Sequence, residues 1–231
     1  RFIVKLKDYW GNEESCDATP RSSDGQLLFL MEMVNKMKSP EHNGIGGRIA
    51  SVHNGSSLFT GDAGGGESNI RRYIIENDLL NAIVQLPNNL FYNTGITTYI
   101  WLLSNNKPVQ RKGKVQLIDA SLMFRKLRKN LGNKNCEFAP EHIAEIMQTY
   151  LAGQDVERQL DAKNDPIGIA SKVFDNQDFG YYKVNIERPD RRSAQFSAER
   201  LQGLRFDKSL SEPMEYMYST YGDDIYTEAK L

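Results

Sequence analysis

Two apolar, β-branched runs in the middle of the chain are too close in sequence to be joined as parallel strands. The first reads NAIVQL over residues 81–86 and the second reads TTYIWLLS over 97–104, with ten residues between them. A parallel connection needs a crossover of about a dozen residues or more, which is usually a helix. The intervening PNNLFYNTGI has no helical periodicity. The spacing therefore predicts that the two strands are antiparallel neighbours.

The segment before these runs has the order of a βαβ unit. RIASVHN over 48–54 predicts a strand, and after a Gly- and Ser-rich loop NIRRYIIEN over 69–77 predicts a short helix that leads into NAIVQL. Strands on either side of a crossover helix run in the same direction, and KVQLIDAS over 114–121 predicts one more strand. The expected fold is α/β, with a mostly parallel sheet and an antiparallel strand near its edge.

Apolar residues at helical spacing predict two amphipathic helices, one over 25–38 and one over 139–153. The basic run over 123–135 is expected to be loop in part. After Gly153 the chain becomes more polar, and the expected elements there are a β-hairpin over 171–189 and a short helix over 197–206. These features predict one domain over residues 1–153 and a C-terminal extension over 154–231.

Composition excludes several classes of protein. The formal net charge is −1, so a nucleic-acid partner would have to be met by a local basic patch. Cys16 and Cys136 form no Cys-x-x-Cys pair, and the three histidines have no metal-ligand spacing. No apolar run approaches the roughly 18 residues of a transmembrane helix. The expected setting is a reducing cytoplasm, with no zinc site, disulfide framework or membrane partner.

The predicted topology places three segments where α/β sheets bind their ligands, beyond the carboxyl ends of the parallel strands. They are residues 53–68 after the first strand, 87–95 after the second, and the segment that enters the helix at Gln26. The adjacent Phe91 and Tyr92 therefore lie at this edge. His53 also lies there, and its expected role is that of a hydrogen-bonded structural histidine.

Several long motifs occur in one order along residues 20–190: ESNIRR, LPNNLFYNTGI, RKGKVQLIDA and DFGYYKVNIERP. They resemble the modification (M) subunit of type I restriction-modification systems, a family of adenine-specific DNA methyltransferases. The resemblance implies a Rossmann-like fold and methyl transfer from S-adenosylmethionine to the exocyclic amine of adenine in DNA. It also implies a specificity subunit and a restriction subunit as partners, two M subunits per specificity subunit, and a bacterial or archaeal cytoplasm.

The chain departs from the family at the motifs that carry its chemistry. None of the eight prolines is followed by a second proline, so the family's Asn-Pro-Pro-aromatic tetrapeptide is absent, as is its cofactor-binding glycine loop. In the family's order both motifs precede the position of Arg1. We therefore expect the C-terminal half of the catalytic domain, inactive alone, with no catalytic residue of its own. The alternative is a non-catalytic module for DNA binding or subunit assembly.

The resemblance gives Phe91 a specific role. Enzymes that modify a base extrude it from the duplex, and related adenine methyltransferases stack an aromatic residue from this loop on the extruded base. Phe91 matches that position, and Tyr92 is a second candidate; the alternative is that Phe91 is buried and staples the loop to the sheet. The same loop includes Asn93, Thr94 and Gly95, where Asn tolerates unusual dihedrals and Gly supplies backbone freedom.

Two basic groups are candidates for contact with the DNA backbone. They are Arg71 and Arg72 beside the glycine-rich GDAGGGES loop, and Arg125, Lys126, Arg128 and Lys129 in the FRKLRKNLGNKN run. A flexible surface loop or a solvated basic face would look the same in sequence. The glycine loop lacks the Lys of a P-loop, which weakens a third interpretation, a nucleotide-phosphate site.

Overall fold

The structure is a computed structural model that describes residues 2–8, 10–181, 184–187, 194–195, 211–221 and 228–229. The chain divides into two units, Arg1–Lys183 and Val184–Leu231. The boundary expected after residue 153 therefore falls inside the first unit, because the chain adds another strand to the central sheet after that point.

The first unit contains eleven described strands and five described α-helices. The strands are β1 (Ile3–Lys7), β2 (Glu13–Asp17), β3 (Arg48–Asn54), β4 (Leu80–Gln85), β5 (Thr98–Ser104), β6 (Lys114–Asp119), β7 (Arg125–Leu131), β8 (Lys134–Glu137), β9 (Gln159–Leu160), β10 (Pro166–Ile167) and β11 (Ala170–Asp175). The helices are α1 (Gln26–Asn35), α2 (Pro40–Asn43), α3 (Ser56–Phe59), α4 (Gly66–Glu76) and α5 (Pro140–Ala152), with 3₁₀ turns at Val109–Arg111 and Asn176–Phe179. In the second unit, β12 (Ala194–Gln195) pairs antiparallel with β13 (Glu228–Ala229), and α6 spans Ser211–Tyr221.

Five strands form the central sheet in the order β11-β6-β4-β5-β3. The predicted antiparallel pairing of β4 with β5 is confirmed, and β4 pairs in parallel with β6. Strand β3 also pairs antiparallel with β5, so β3 and β4 run in the same direction with β5 between them. The described sheet is therefore mixed, and β5 is an interior strand rather than the expected edge strand. The antiparallel strand at the described edge is β11.

Each face of this sheet buries its own apolar cluster. On one face, helices α1 and α4 and the β1–β2 hairpin pack over the fully buried Trp101, with Leu30 of α1, Ile70 of α4 and Leu6 of β1 in the same cluster. On the other face, α5 and the β7–β8 hairpin pack over the opposite sides of β4, β5 and β6. The alternation of β5 side chains between these clusters explains why both faces of its sequence are apolar.

The structure corrects two expectations from the sequence. The β-hairpin expected over 171–189 is not seen among the described residues of that range, because β11 pairs with β6 and is followed by a 3₁₀ turn, and residues 184–187 are not in a strand. The basic run expected to be loop in part forms the β7–β8 hairpin instead. The predicted helix over 197–206 lies outside the described residues. None of the described helices is long and apolar enough to cross a membrane.

An ion pair between a buried lysine and a partly exposed aspartate joins three connections at the amino-terminal end of β4. Lys107, whose side chain is 2% exposed, donates to Asp78 with 2.6 Å between Nζ and Oδ1. The same carboxylate accepts from the Gly113 amide (3.1 Å) and from Nδ2 of Asn176 (2.9 Å). Asp78 therefore ties the α4–β4 turn to the β5–β6 connection and to the segment after β11.

Candidate nucleic-acid interface

Three consecutive residues of β8 donate hydrogen bonds to the loop between β4 and β5. The carbonyl oxygens of Asn88, Asn89 and Leu90 accept hydrogen bonds one after another. Sγ of Cys136 donates to the carbonyl of Asn88 (3.2 Å), and the backbone amide of Asn135 donates to that of Asn89 (3.1 Å). Nζ of Lys134 donates to the carbonyl of Leu90 (2.7 Å). The aromatic pair Phe91 and Tyr92 follows directly, so its backbone leaves from a fixed point.

Leu90, not Phe91, attaches this loop to the core. The side chain of Leu90 is 9% exposed and packs in the cluster under the β7–β8 hairpin. Phe91 is 39% exposed and Tyr92 is 62% exposed. Leu90 is therefore the residue that attaches the loop, and Phe91 lies partly exposed just beyond the carboxyl end of β4.

The turn that follows the aromatic pair depends on two different backbone properties. Asn93 adopts a left-handed conformation, φ 59°, which Asn tolerates better than most residues. Gly95 does not have a positive φ, but a Cβ there would lie 3.2 Å from Nδ2 of Asn89. A Cβ at Gly95 would thus crowd the Asn89 side chain, so close approach rather than an unusual dihedral favours glycine there, which corrects the sequence interpretation. Thr94 contributes a weak turn contact, accepting from the Ile96 amide at 3.4 Å.

The β7–β8 hairpin gives this edge a local positive charge. Residues 125–137 contain five basic residues and one acidic residue in a chain whose net charge is −1. The acidic residue, Glu137, pairs with Arg125 at 2.8 Å. Lys126, Arg128 and Lys129 are exposed, and no carboxylate among the described residues pairs with them. The structure thus places these four sequence-predicted cations on β7, which pairs with β8, the strand whose residues hold the loop of the aromatic pair.

The other two candidate cations contact their own fold instead. Arg71 is half-buried, and its guanidinium donates to the carbonyl of Ser57 at 3.2 Å. It also lines a largely apolar cavity of about 760 Å³ on the α4 face of the sheet, which neither aromatic of the loop lines. Arg72 pairs with Glu76 at 2.6 Å and donates to the carbonyl of Lys7. Neither arginine is grouped with the hairpin cations.

A polar network closes the end of β3. The amide of Gln26 donates to both carboxylate oxygens of Asp24 (2.9 and 3.0 Å) and to Oδ1 of Asn54 (2.8 Å). The hydroxyl of Ser56 donates to Asp24 at 2.6 Å, and this hydrogen bond is the main cause of the lowered pKa of Asp24. The carboxylate of Asp24 is therefore ionised and fully used in joining α1 to the end of β3.

His53 lies beside this network without a hydrogen-bond partner. It is buried, its ring meets Trp101 edge-on with 5.8 Å between centroids, and neither ring nitrogen has a partner among the described residues. Burial lowers the pKa of His53, and the nearby Asp24 only partly offsets this. The expectation of a hydrogen-bonded histidine is therefore not met, and the neutral imidazole acts as an apolar packing group.

The match to known proteins covers most of the first unit. Residues 5–175 match the N-6 DNA methylase family. The chain belongs to this family. The described residues contain no group of carboxylates, histidines and cysteines that could hold a metal ion.

Relatives of this methylase chain include subunits of type I restriction enzymes, which confirms the resemblance seen in the sequence. This chain is 37% identical over 110 residues to the MjaVII methylase subunit of Methanocaldococcus jannaschii, and the alignment covers 48% of this chain and 18% of the relative. It is 34% identical over 155 residues to the HindI methylase subunit of Haemophilus influenzae, covering 63% of this chain and 31% of the relative. The chain thus spans less than a third of either relative.

A solved structure supports the fold. The methyltransferase subunit of the type I restriction-modification system from Streptococcus thermophilus aligns with a TM-score of 0.54 and 25% sequence identity. The alignment covers 68% of this chain and 28% of that one. The fold of this chain is therefore similar to that of part of this methyltransferase subunit, and the Rossmann-like assignment of the whole domain remains a prediction.

The N-terminus of α4 is covered by another segment of the chain. The glycine-rich loop leads into α4, but a Cβ at Gly66 would collide with the carbonyl of Thr19, and Glu67 accepts from the Arg21 amide at 3.1 Å. Residues 17–21 therefore cover the helix N-terminus whose amides could otherwise hold an anion. The same contact argues against a phosphate site in this loop.

The sequence did not reveal the residues of β8 that hold the aromatic loop. Lys134, Asn135 and Cys136 lie more than forty residues beyond the loop carbonyls to which they donate. The Gly132-Asn133 step between Leu131 and Lys134 is typical of a two-residue hairpin turn, and could have indicated the β7–β8 hairpin. It gives no indication of which loop the hairpin contacts.

Proposed function

We propose that this chain is part of an adenine-specific DNA methyltransferase, the modification subunit of a type I restriction-modification system. Family membership and the type I relatives support this proposal. S-adenosyl-L-methionine supplies the electrophilic methyl group when bound, and the nucleophile is the exocyclic amine of adenine. The described residues contribute to holding DNA and the target base, and no catalytic residue is assigned to them.

The observation that carries the proposal is the pairing of an open aromatic ring with a basic hairpin at one edge of the sheet. An extruded base loses its stacking partners, and an aromatic side chain replaces part of that interaction, worth about 1–3 kcal/mol per base. Phe91 stacks on the target base in this proposal. Tyr92 lies beside it, and the turn through Asn93, Thr94 and Gly95 shapes the loop around the base.

The hairpin contacts the phosphate backbone that flanks the extruded base. Its exposed cations, Lys126, Arg128 and Lys129, are unpaired among the described residues and can therefore displace the counterions of DNA, whereas the Arg125 guanidinium is shared with Glu137. Arg71 and Arg72 are the weaker candidates, since both donate to carbonyls of their own fold.

The proposed partners are DNA, a specificity subunit and a restriction subunit, with two M subunits per specificity subunit. Residues 154–231 carry the subunit contacts.

The test measures methyl transfer and DNA binding by the full-length protein that carries this chain, together with its specificity subunit. Phe91→Ala should lower the transfer rate, whereas Phe91→Trp, which keeps an aromatic face, should retain most of it. Phe29→Ala, which removes an exposed aromatic ring of α1, is the matched control and should have no effect. Equal rates for Phe91→Ala and the parent protein would refute base stacking.

A second arm tests the hairpin. Reversing the charge of Lys126 and Arg128 together should weaken DNA binding and reduce the slope of log K against log salt by about 2, because each phosphate contact contributes about 0.9. An unchanged slope would refute the phosphate contact. DNA binding without any methyl transfer by the full-length protein would instead favour the alternative of a non-catalytic module, which the missing Asn-Pro-Pro-aromatic motif keeps open.

A further inference from the structure

Lys134 differs from the other cations of its hairpin because its ammonium group points into the protein. Its Nζ donates to the carbonyl of Leu90 at 2.7 Å and to the carbonyl of Cys136 at 2.9 Å. It also lies 5.9 Å from the centroid of the Tyr92 ring, within the range of a cation–π interaction. The side chain therefore bridges β8 and the residues immediately before and after Phe91.

We propose that Lys134 is a positioning residue for methyl transfer, which fixes the aromatic loop so that Phe91 meets the extruded base. The inference rests on the proposed base-stacking role of Phe91. Lys134 does not touch the base. It acts through the Leu90 carbonyl on one side of Phe91 and the Tyr92 ring on the other.

The chemistry of the contact explains why a lysine is needed at this position. The carbonyls of Asn88 and Asn89 are held by a thiol and a backbone amide, but Leu90 is the last residue before the aromatic pair and no backbone donor of the described residues reaches its carbonyl. A charged donor forms a stronger hydrogen bond than a neutral one. Without it, the backbone that leads into Phe91 would be released while Leu90 itself stays in the core.

This role differs from a phosphate contact in what it should change. A phosphate contact affects DNA affinity and its salt dependence. A group that orients the loop affects the rate of the bound complex, because a misplacement of about 1 Å can cost on the order of 100-fold in rate. Two of the three hydrogen bonds from β8 to the loop carbonyls remain when the Lys134 ammonium is removed. The expected loss in rate is therefore smaller than about 100-fold.

The experiment uses the full-length protein with its specificity subunit and compares Lys134→Met, Lys134→Arg and Lys163→Met. Met keeps most of the apolar stem of lysine and removes the donor, Arg keeps a charged donor, and Lys163 is an exposed lysine between β9 and β10 that controls for the loss of one charge. The measurements are kcat at saturating DNA, the Kd for DNA over a range of salt, and photocrosslinking to Phe91 from 5-iodouracil at the target position.

We expect Lys134→Met to lower kcat by about tenfold and to reduce the crosslink, with Kd within about twofold of the parent protein. Lys134→Arg should restore most of both, and Lys163→Met should match the parent. The proposal is overturned if kcat is unchanged, or if Kd weakens with a smaller salt slope while kcat is kept. Should Lys134→Met not fold, Lys134→Gln, whose amide can donate to one carbonyl, is measured with the same expected direction.

Phe91→Ala, measured beside these variants, separates this inference from the proposed function. If Phe91→Ala leaves kcat unchanged, the base-stacking role itself fails. If Phe91→Ala lowers kcat but Lys134→Met does not, only the positioning role fails. In a Phe91→Ala background, Lys134→Met should cause little further loss, because two residues that act through one contact are not additive.

Discussion

Leu90 and Phe91 are adjacent in sequence, yet replacing each by Ala should damage different properties of the protein. Leu90 is 9% exposed inside an apolar cluster, and a buried Leu→Ala change costs about 2–5 kcal/mol in the free energy of unfolding. We expect the lower half of that range, because Leu90 keeps some exposure to solvent. Phe91 is 39% exposed, so its replacement should forfeit about three-fifths of the roughly 1.5–3 kcal/mol that full burial of a Phe side chain is worth, or about 1–2 kcal/mol.

Relative to the stability that each variant loses, Phe91→Ala should lose more activity than Leu90→Ala. Removing a base-stacking ring should forfeit about 1–3 kcal/mol of binding to the extruded base, which corresponds to a loss of about 5- to 150-fold in kcat/KM. Leu90→Ala should reduce activity mainly by unfolding, and lower temperature should recover much of it.

Two assays separate these effects. Urea denaturation followed by the fluorescence of the fully buried Trp101 gives the free energy of unfolding, and methyl transfer by the full-length protein with its specificity subunit gives kcat/KM. The reasoning is refuted if Phe91→Ala is the more destabilising of the two, since Phe91 would then be the residue that staples the loop. It is also refuted if Phe91→Ala is stable and fully active.

Two further predictions concern buried ionisable groups. Asp78→Asn leaves the Lys107 ammonium buried without its counter-charge and should cost about 3 kcal/mol in the free energy of unfolding. The control Glu13→Gln breaks the exposed pair with Lys5 and should cost less than about 1 kcal/mol. Equal unfolding midpoints of the two variants in urea would contradict this prediction. Burial lowers the pKa of His53 from 6.5, so the unfolded chain takes up this proton first and the free energy of unfolding should fall as the pH drops below about 6.5. His53→Gln should flatten that part of the pH profile while His42→Gln, at an exposed site, should leave it intact, and a parent profile that is flat between pH 5 and 7 would refute the assignment.

The direction of the central strands could be predicted from the sequence because it depends on local quantities. Ten residues without helical periodicity cannot carry a parallel crossover, so β4 and β5 had to be antiparallel. The amphipathic patterns of α1 and α5 follow from the 3.6-residue period in the same way. The resemblance to type I modification subunits also depends on local motifs, and the family match confirms it.

The lateral order of the strands could not be predicted. A crossover helix fixes that β3 and β4 run in the same direction, but it does not fix whether another strand lies between them. Strand β5 lies there with its backbone paired on both sides, and its side chains enter the apolar cluster on each face of the sheet. Strand β11 likewise pairs with a strand distant in sequence, β6.

The sequence by itself determined that Phe91 lies in the connection between two antiparallel strands of an α/β sheet, because strand direction and loop length depend on neighbouring residues. Only the tertiary structure decided which residue of the loop is buried and which is presented. Leu90 enters the core and Phe91 stays open because the β7–β8 hairpin, more than thirty residues further along the chain, holds the three carbonyls before the aromatic pair. Contacts between segments so distant in sequence leave no periodicity, spacing or composition from which they could be predicted.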